Sequence, residues 1–395
     1  MDIFKKCKNF TRATELIEAG IYPYFQPLSG NDGPRVKMNG HSVIMLGSNN
    51  YLGLTHDQRV IEAVLVATKK YGASCSGSRF MNGTLDLHLE LEEKLAKFMN
   101  RETALIFSTG FLVNLGAISA LAGRDDYIII DKADHASIYA GTQATIGASV
   151  KRYLHNDMDD LERVMSKLDP GKGKLIVSDG VFSMEGDIVN LEQMTQIAQK
   201  YQARIYIDEA HGLGVLGEYG RGACEFLGLE DKVDLVMGTF SKSLGSIGGF
   251  IAGTQEVINY IKHSARALIF TAAPMPAATA AALASLEIIE KEPERMKRLS
   301  HISKFMHDSF KNMGFDIGCS NHTPIIPLYI RDDEKTMFFW KKLFDAGVFT
   351  NAVLSPGVPP DQAMIRTSFM SVHSDDDLEQ ALEIIQKVGR EIGII

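Results

Sequence analysis

The stretch RIYIDEAHGLG (204–214), followed by DLVMGTFSKSLGSIGG (234–249), decides the fold. Residues 204–207 are a β-type run ending on Asp208 and Glu209, with His211 three positions after the aspartate. Residues 234–237 are a second such run, leading into Gly238, Thr239, Phe240, Ser241, Lys242 and Ser243. An acid and a histidine just past one strand, and a lysine among hydroxyls just past another, predict a site at strand ends. Open α/β sheets bind ligands outside the carboxyl ends of their strands. A lysine there can form an imine with an aldehyde while Thr239, Ser241, Ser243 and loop N–H groups hold a phosphate. Asp208 suits a protonated pyridine nitrogen. The expected cofactor is pyridoxal 5'-phosphate (PLP).

Two other motifs overlap the same stretch. Asp208-Glu209-Ala210-His211 spells a helicase-type box, but no G-x-x-x-x-G-K-[ST] occurs upstream. Residues 212–217, GLGVLG, match the dinucleotide G-x-G-x-x-G. That fingerprint should join a strand directly to a helix, whereas here DEAH intervenes and EYGRG follows. A nucleotide-binding protein or oxidoreductase is the reading these motifs would support.

Outward from this stretch, apolar strands alternate with amphipathic helices. Strands are predicted at 104–107, 127–130 and 174–178, and helices at 57–71, 85–99, 111–121 and 191–201. Leu87, Leu91, Leu95 and Phe98 fall on one face of the second helix. Ile- and Val-rich strands at this spacing mean a mostly parallel sheet covered on both faces. Residues 1–45 are expected as an N-terminal arm, 46–286 as a large cofactor-binding domain, and 287–395 as a smaller C-terminal α+β domain. Within the last part, a long helical region is predicted at 287–313.

The chain has 395 residues, 45% hydrophobic and 23% charged, enough for a full core in more than one domain. Its net charge of −8 argues against nucleic-acid binding. The start MDIFKKCKNF lacks the apolar region of a secretory signal, and no apolar run approaches the ~20 residues that span a bilayer. Cys7, Cys75, Cys224 and Cys319 are scattered, so neither a metal site nor a disulfide framework is expected. The expected location is cytoplasmic.

Each candidate site residue has a chemical reason. Lys242 is the imine-forming amine and Asp208 the ring-nitrogen partner. His211 is placed to bond the cofactor's phenolic oxygen, with Ser183 either a second donor or an ordinary turn serine. His135 is placed to stack on the ring, or is a satisfied histidine at a helix start. Gly110 and Phe111 offer N–H groups at a helix start to the phosphate, beside Thr239 and Ser241. Ser78 lies in a small-residue run, residues 72–80, read as a binding loop. Arg366 sits on an otherwise apolar strand and needs an anion, either a structural partner or a substrate carboxylate.

Taken together, SNNYLGL, GSRFMNGT, STGF, DHASIYAG, DGVFSMEGD, DEAHGLG and GTFSKSLGSIGGF resemble the α-oxoamine synthase family, in order and spacing, over nearly the whole chain. The resemblance implies a fold-type I aminotransferase-like α/β protein, and a homodimer with active sites at the subunit boundary. It also implies decarboxylative condensation of an amino acid with an acyl-CoA to an α-amino ketone. By that likeness Lys242, Asp208, His211, His135 and Ser183 take the roles above, and Asn49 and Arg366 hold the amino-acid carboxylate. Thr271 would reach the phosphate in the partner subunit. The lysine motif GTFSKS leans towards the branch that joins L-serine to palmitoyl-CoA. Sister branches using glycine or alanine are the alternative. Thr367 and the segment FTAAPMP (270–276) depart from the serine-using pattern.

Overall fold

The computed structural model describes residues 2–31, 33–319 and 322–395. Its central sheet has seven strands, in the order Thr103–Phe107, Gly249–Gly253, Leu235–Thr239, Arg204–Asp208, Gly173–Asp179, Asp126–Asp131 and Ser149–Tyr153. Neighbours run parallel except Gly249–Gly253, which is antiparallel to both its partners. The alternation of side chains divides the core in two. Ile129, Ile176, Ile205 and Val236 pack on one face. Ile128, Val177, Tyr206 and Leu235 pack on the other. Helices cover both faces, so these strands are apolar throughout.

Register lines up the acids. Asp179 pairs with Asp208, Asp208 with Met237, and Thr239 with Gly249, all at the carboxyl edge of the parallel strands. The helix Gly110–Leu121 starts at the same edge, capped by Thr109, whose side chain accepts the Leu112 N–H. Residues 210–220 after the 204–208 strand are turns and bends. Gly214 and Gly217 have positive φ (70° and 90°), and no helix opens at the third glycine. The dinucleotide reading fails on that geometry.

The second core joins both ends of the chain. Leu28–Gly30, Arg35–Met38 and His41–Met45 form a four-stranded sheet with Val348–Phe349. Met364–Ser368 is the centre of a three-stranded antiparallel sheet with Ile325–Tyr329 and Asn351–Val353. Val36 and Ile44 share a core with Phe310, Leu328, Trp340 and Ile385. The expected boundaries at 45 and 286 therefore meet different packing. Residues 28–45 build sheet with the C-terminal part, and residue 286 lies inside the helix Pro276–Lys291. The helix expected over 287–313 is broken at Glu292 and Pro293, and a new helix, Glu294–Met313, begins after them. Pro293 lacks the N–H that would continue the first helix.

Candidate active site

The carboxyl edge of the large sheet opens into a cavity of about 330 Å³. Gly110, Phe111, His135, Asp208, His211, Thr239, Ser241 and Lys242 are brought together in its lining. Larger spaces exist elsewhere, one of about 660 Å³ at the amino ends of the strands. Two of its charged groups are already paired: Arg204 Nη1 meets Asp234 Oδ1 at 2.7 Å, and Lys174 Nζ donates to the Lys172 carbonyl at 2.9 Å. Chemistry concentrates in the smaller cavity.

One end of it suits an anion. Thr109 takes the N–H groups of Leu112 and Val113 through its side chain and carbonyl. The N–H groups of Gly110 and Phe111, ahead of them, are the positive end of a 12-residue helix. Thr239 Oγ1 and Ser241 Oγ lie 2.9 Å apart beside them. A Cβ on Gly110 would stand 2.7 Å from Thr239 Oγ1, so only glycine lets these two segments close into a cradle.

The other end carries a held carboxylate. Asp208 Oδ2 accepts from Asn114 Nδ2 at 2.7 Å and Oδ1 from the Ala210 N–H at 2.8 Å, leaving further lone pairs for a cationic ring N–H. Asn114 Oδ1 accepts from the Tyr206 hydroxyl (2.6 Å), and its Nδ2 also donates to Ser137 Oγ (2.8 Å). Ser137 Oγ lies 2.7 Å from His135 Nδ1. Thus Asp208 and His135 are oriented through one buried network, and His135 caps its helix while remaining open to the cavity. Sequence reading missed Asn114 and Ser137. The available signal was a lone amide in the apolar helix GFLVNLGAISAL.

Lys242 sits among acids. Burial pushes its amine down to about 8, Asp208 and Asp179 oppose this, and Arg366 adds to it. Asp179, whose Oδ2 accepts the His135 N–H at 3.0 Å, is pushed well up by burial, with Asp208 and Asp134 adding. His211 is held well below the ordinary imidazole range by burial, then by Lys242, Arg366 and His135. His135 is lowered by burial against the pull of Asp208. A lysine whose amine is half neutral near pH 8 is a competent nucleophile and base.

Other expected residues lie outside this lining. Arg366 is buried (4% exposed), donating from Nε to the Ser183 carbonyl at 2.6 Å and from Nη2 to Asn49 Oδ1 at 3.1 Å. It is the Ser183 carbonyl, not its hydroxyl, that is engaged here. Ser78 forms a backbone bridge with Ala272 and does not line the cavity of its own chain. The arginine beside it, Arg79, turns inward to a bidentate pair with buried Glu92 (2.9 and 3.2 Å), so the expected binding loop is pinned by its own end. Thr271 adjoins that bridge and does not line the cavity of its own chain.

Phosphate cradle, ring-nitrogen carboxylate and lysine thus fit PLP. A family model, aminotransferase class I and II, matches residues 41–385. The serine palmitoyltransferase of Bacteroides ovatus is 49% identical over 391 residues, covering 99% of both chains. The 8-amino-7-oxononanoate synthase of Thermoanaerobacter pseudethanolicus is 40% identical over 96% of both. A solved lysine-to-alanine variant of serine palmitoyltransferase from S. paucimobilis, with a bound PLP–myriocin adduct, superposes with a TM-score of 0.97 at 34% identity over all of both chains. With these likenesses added to the site, the chain belongs to the aminotransferase class I and II family of PLP-dependent enzymes, in its α-oxoamine synthase branch.

Proposed function

We propose that this enzyme condenses L-serine with a long-chain acyl-CoA, palmitoyl-CoA in type, to give 3-ketodihydrosphingosine, CoA and CO2, an entry into sphingolipids. The observation that carries the reading is 49% identity to a serine palmitoyltransferase over essentially the whole chain. The serine α-carbon loses a proton, gains the acyl carbon as the thioester C–S bond breaks, loses its carboxylate as CO2, and regains a proton. The chemistry PLP supplies when bound is a sink for the electron pair released at that carbon.

Lys242 holds the cofactor through its amine and then moves the α-proton. Asp208 keeps the ring nitrogen protonated, and His211 and Ser183 attend the phenolic oxygen. Gly110, Phe111, Thr239 and Ser241 hold the phosphate, joined by the partner subunit's Thr271, and His135 covers the ring. Arg366 and Asn49 hold the serine carboxylate, with Ser78 a further substrate-binding residue outside the lining of the cavity in its own chain. The exposed apolar residues Phe111 and Ile247 at the cavity (45% and 54% exposed) support a homodimer with sites near the subunit boundary. No helix among the described residues is long and apolar enough to cross a membrane, and we place the enzyme in the cytoplasm.

Relatives named 8-amino-7-oxononanoate synthase, at 40% identity, keep a second reading in view: a sister condensation with alanine or glycine and another acyl-CoA. The test is a visible-absorbance titration of the PLP-loaded protein with L-serine, glycine and L-alanine, followed by mass analysis of the product formed with palmitoyl-CoA. A response selective for serine, with a C18 amino ketone formed, supports the proposal. A response to alanine or glycine alone moves the enzyme to a sister activity.

A further inference from the structure

Tyr51 is fully buried beside the cavity although it belongs to the polar loop SNNYLG. Its backbone is fixed at both ends: its N–H donates to the Asn49 carbonyl at 2.8 Å, and its carbonyl accepts the Ser371 N–H at 2.7 Å. Its hydroxyl stands 2.6 Å from His211 Nδ1 and 3.3 Å from Asn49 Oδ1. Asn49 Oδ1 already accepts from Arg366 Nη2 at 3.1 Å. A chain Arg366–Asn49–Tyr51–His211 therefore joins the arginine of the small-domain sheet to the histidine of the cofactor cavity.

The direction of the short contact depends on the imidazole tautomer. A phenol has one proton and can give it to only one neighbour. At 3.3 Å the Asn49 contact is long for an O–H···O bond, while 2.6 Å to His211 is short. A neutral His211 that donates from Nε2 to the cofactor must accept at Nδ1, and the Tyr51 phenol is the donor within reach of that atom. A neutral imidazole that accepts at Nδ1 carries its own proton at Nε2. Burial raises the phenol to about 12, so it stays a donor, and burial beside Lys242 and Arg366 keeps His211 neutral.

We propose that Tyr51 is a positioning residue that locks His211 in the Nε2–H tautomer, making it a fixed hydrogen-bond donor to the phenolic oxygen of PLP. The inference rests on the PLP reading above. A donor at that oxygen stabilises its negative charge, which is largest when the neighbouring nitrogen has lost its proton. The deprotonated form of the bound chromophore is thereby favoured.

The experiment compares wild type and Tyr51→Phe, both loaded with PLP, by pH titration of the visible band. In the variant the pH midpoint should rise by about one unit, with the phosphate cradle untouched. An unchanged midpoint overturns the inference, because a tyrosine that only packs would alter melting temperature and not the titration. Failure of wild type itself to develop a visible band with PLP would instead remove the cofactor reading. If the variant does not fold, nitrogen-15 NMR of the wild-type histidines, assigned with His211→Asn, still decides. A proton on Nε2 supports the assignment, and a proton on Nδ1 overturns it.

Discussion

Asn114 Nδ2 donates a 2.7 Å hydrogen bond to Asp208 Oδ2, tying the helix whose start lines one end of the cavity to the strand end that carries Asp208 at the other. Both ends of the cofactor cavity thus share one rigid support. Asn114→Leu keeps the branched outline but strands the Tyr206 hydroxyl, Ser137 and Asp208. Stability should fall by about 1–3 kcal/mol, the cost of buried polar groups left unpaired. PLP affinity should fall by about tenfold, or about 1.4 kcal/mol. Chemical denaturation and equilibrium dialysis with PLP measure the two effects. Unchanged affinity would mean that Asp208 needs no such support.

Lys242, pushed down to about 8, predicts how the protein without cofactor takes up PLP. Only the neutral amine attacks an aldehyde, so the rate follows its fraction. That fraction rises about fivefold from pH 7 to 8 and about twofold more beyond. Stopped-flow growth of the visible band reports it. A rate still climbing tenfold per pH unit up to pH 10 would mean an ordinary surface amine. Lys242→Ala should bind PLP without the covalent band and lose roughly 10²–10⁴-fold in turnover.

Arg366 spends its donors on the Ser183 carbonyl and Asn49 Oδ1, in a buried place where its planar fork matters. Arg366→Lys keeps the charge and loses that geometry. The spectroscopic dissociation constant for L-serine should rise by about tenfold to hundredfold, while PLP affinity stays within about twofold. Equal losses in both would assign Arg366 to the framework rather than to the substrate.

How much of this was legible follows from local chemistry. The strands at 204–208 and 235–239 are continuous apolar runs, and their ends carry Asp208 and Lys242, so that half of the site was readable. The strand Ser149–Tyr153 was not. It is an edge strand, SVKRY, buried fully only at Tyr153, and shows no apolar run. Gly249–Gly253 has a glycine at each end of a five-residue strand. At Gly249 a Cβ would meet Gly110 Cα at 2.8 Å, a constraint that exists only once the two segments are side by side. Asn114, Asp179 and Tyr51 act through partners roughly 20 to 160 positions away, and no local spacing encodes such pairs.

The DEAH string has a structural use for its second letter. Glu209 is fully buried, and its carboxylate accepts the Ala223 and Cys224 N–H groups at 2.8 Å each, closing the glycine-rich turn of 212–222. Burial raises it to about 7, against the lowering by those N–H groups. An acid whose folded value lies above its unfolded one contributes stability in full below the unfolded value, about 4.5. That contribution is lost as pH rises through 7. Glu209→Gln cannot ionise, and its amide can present only one oxygen to the two N–H groups. The variant should be less stable at pH 5 by about 1–3 kcal/mol, with the gap to wild type narrowing as pH rises to 8. Denaturation midpoints at pH 5, 6, 7 and 8 decide it. Parallel profiles would mean that the carboxylate is already ionised at pH 5 and that the turn is closed by charge rather than by a retained proton.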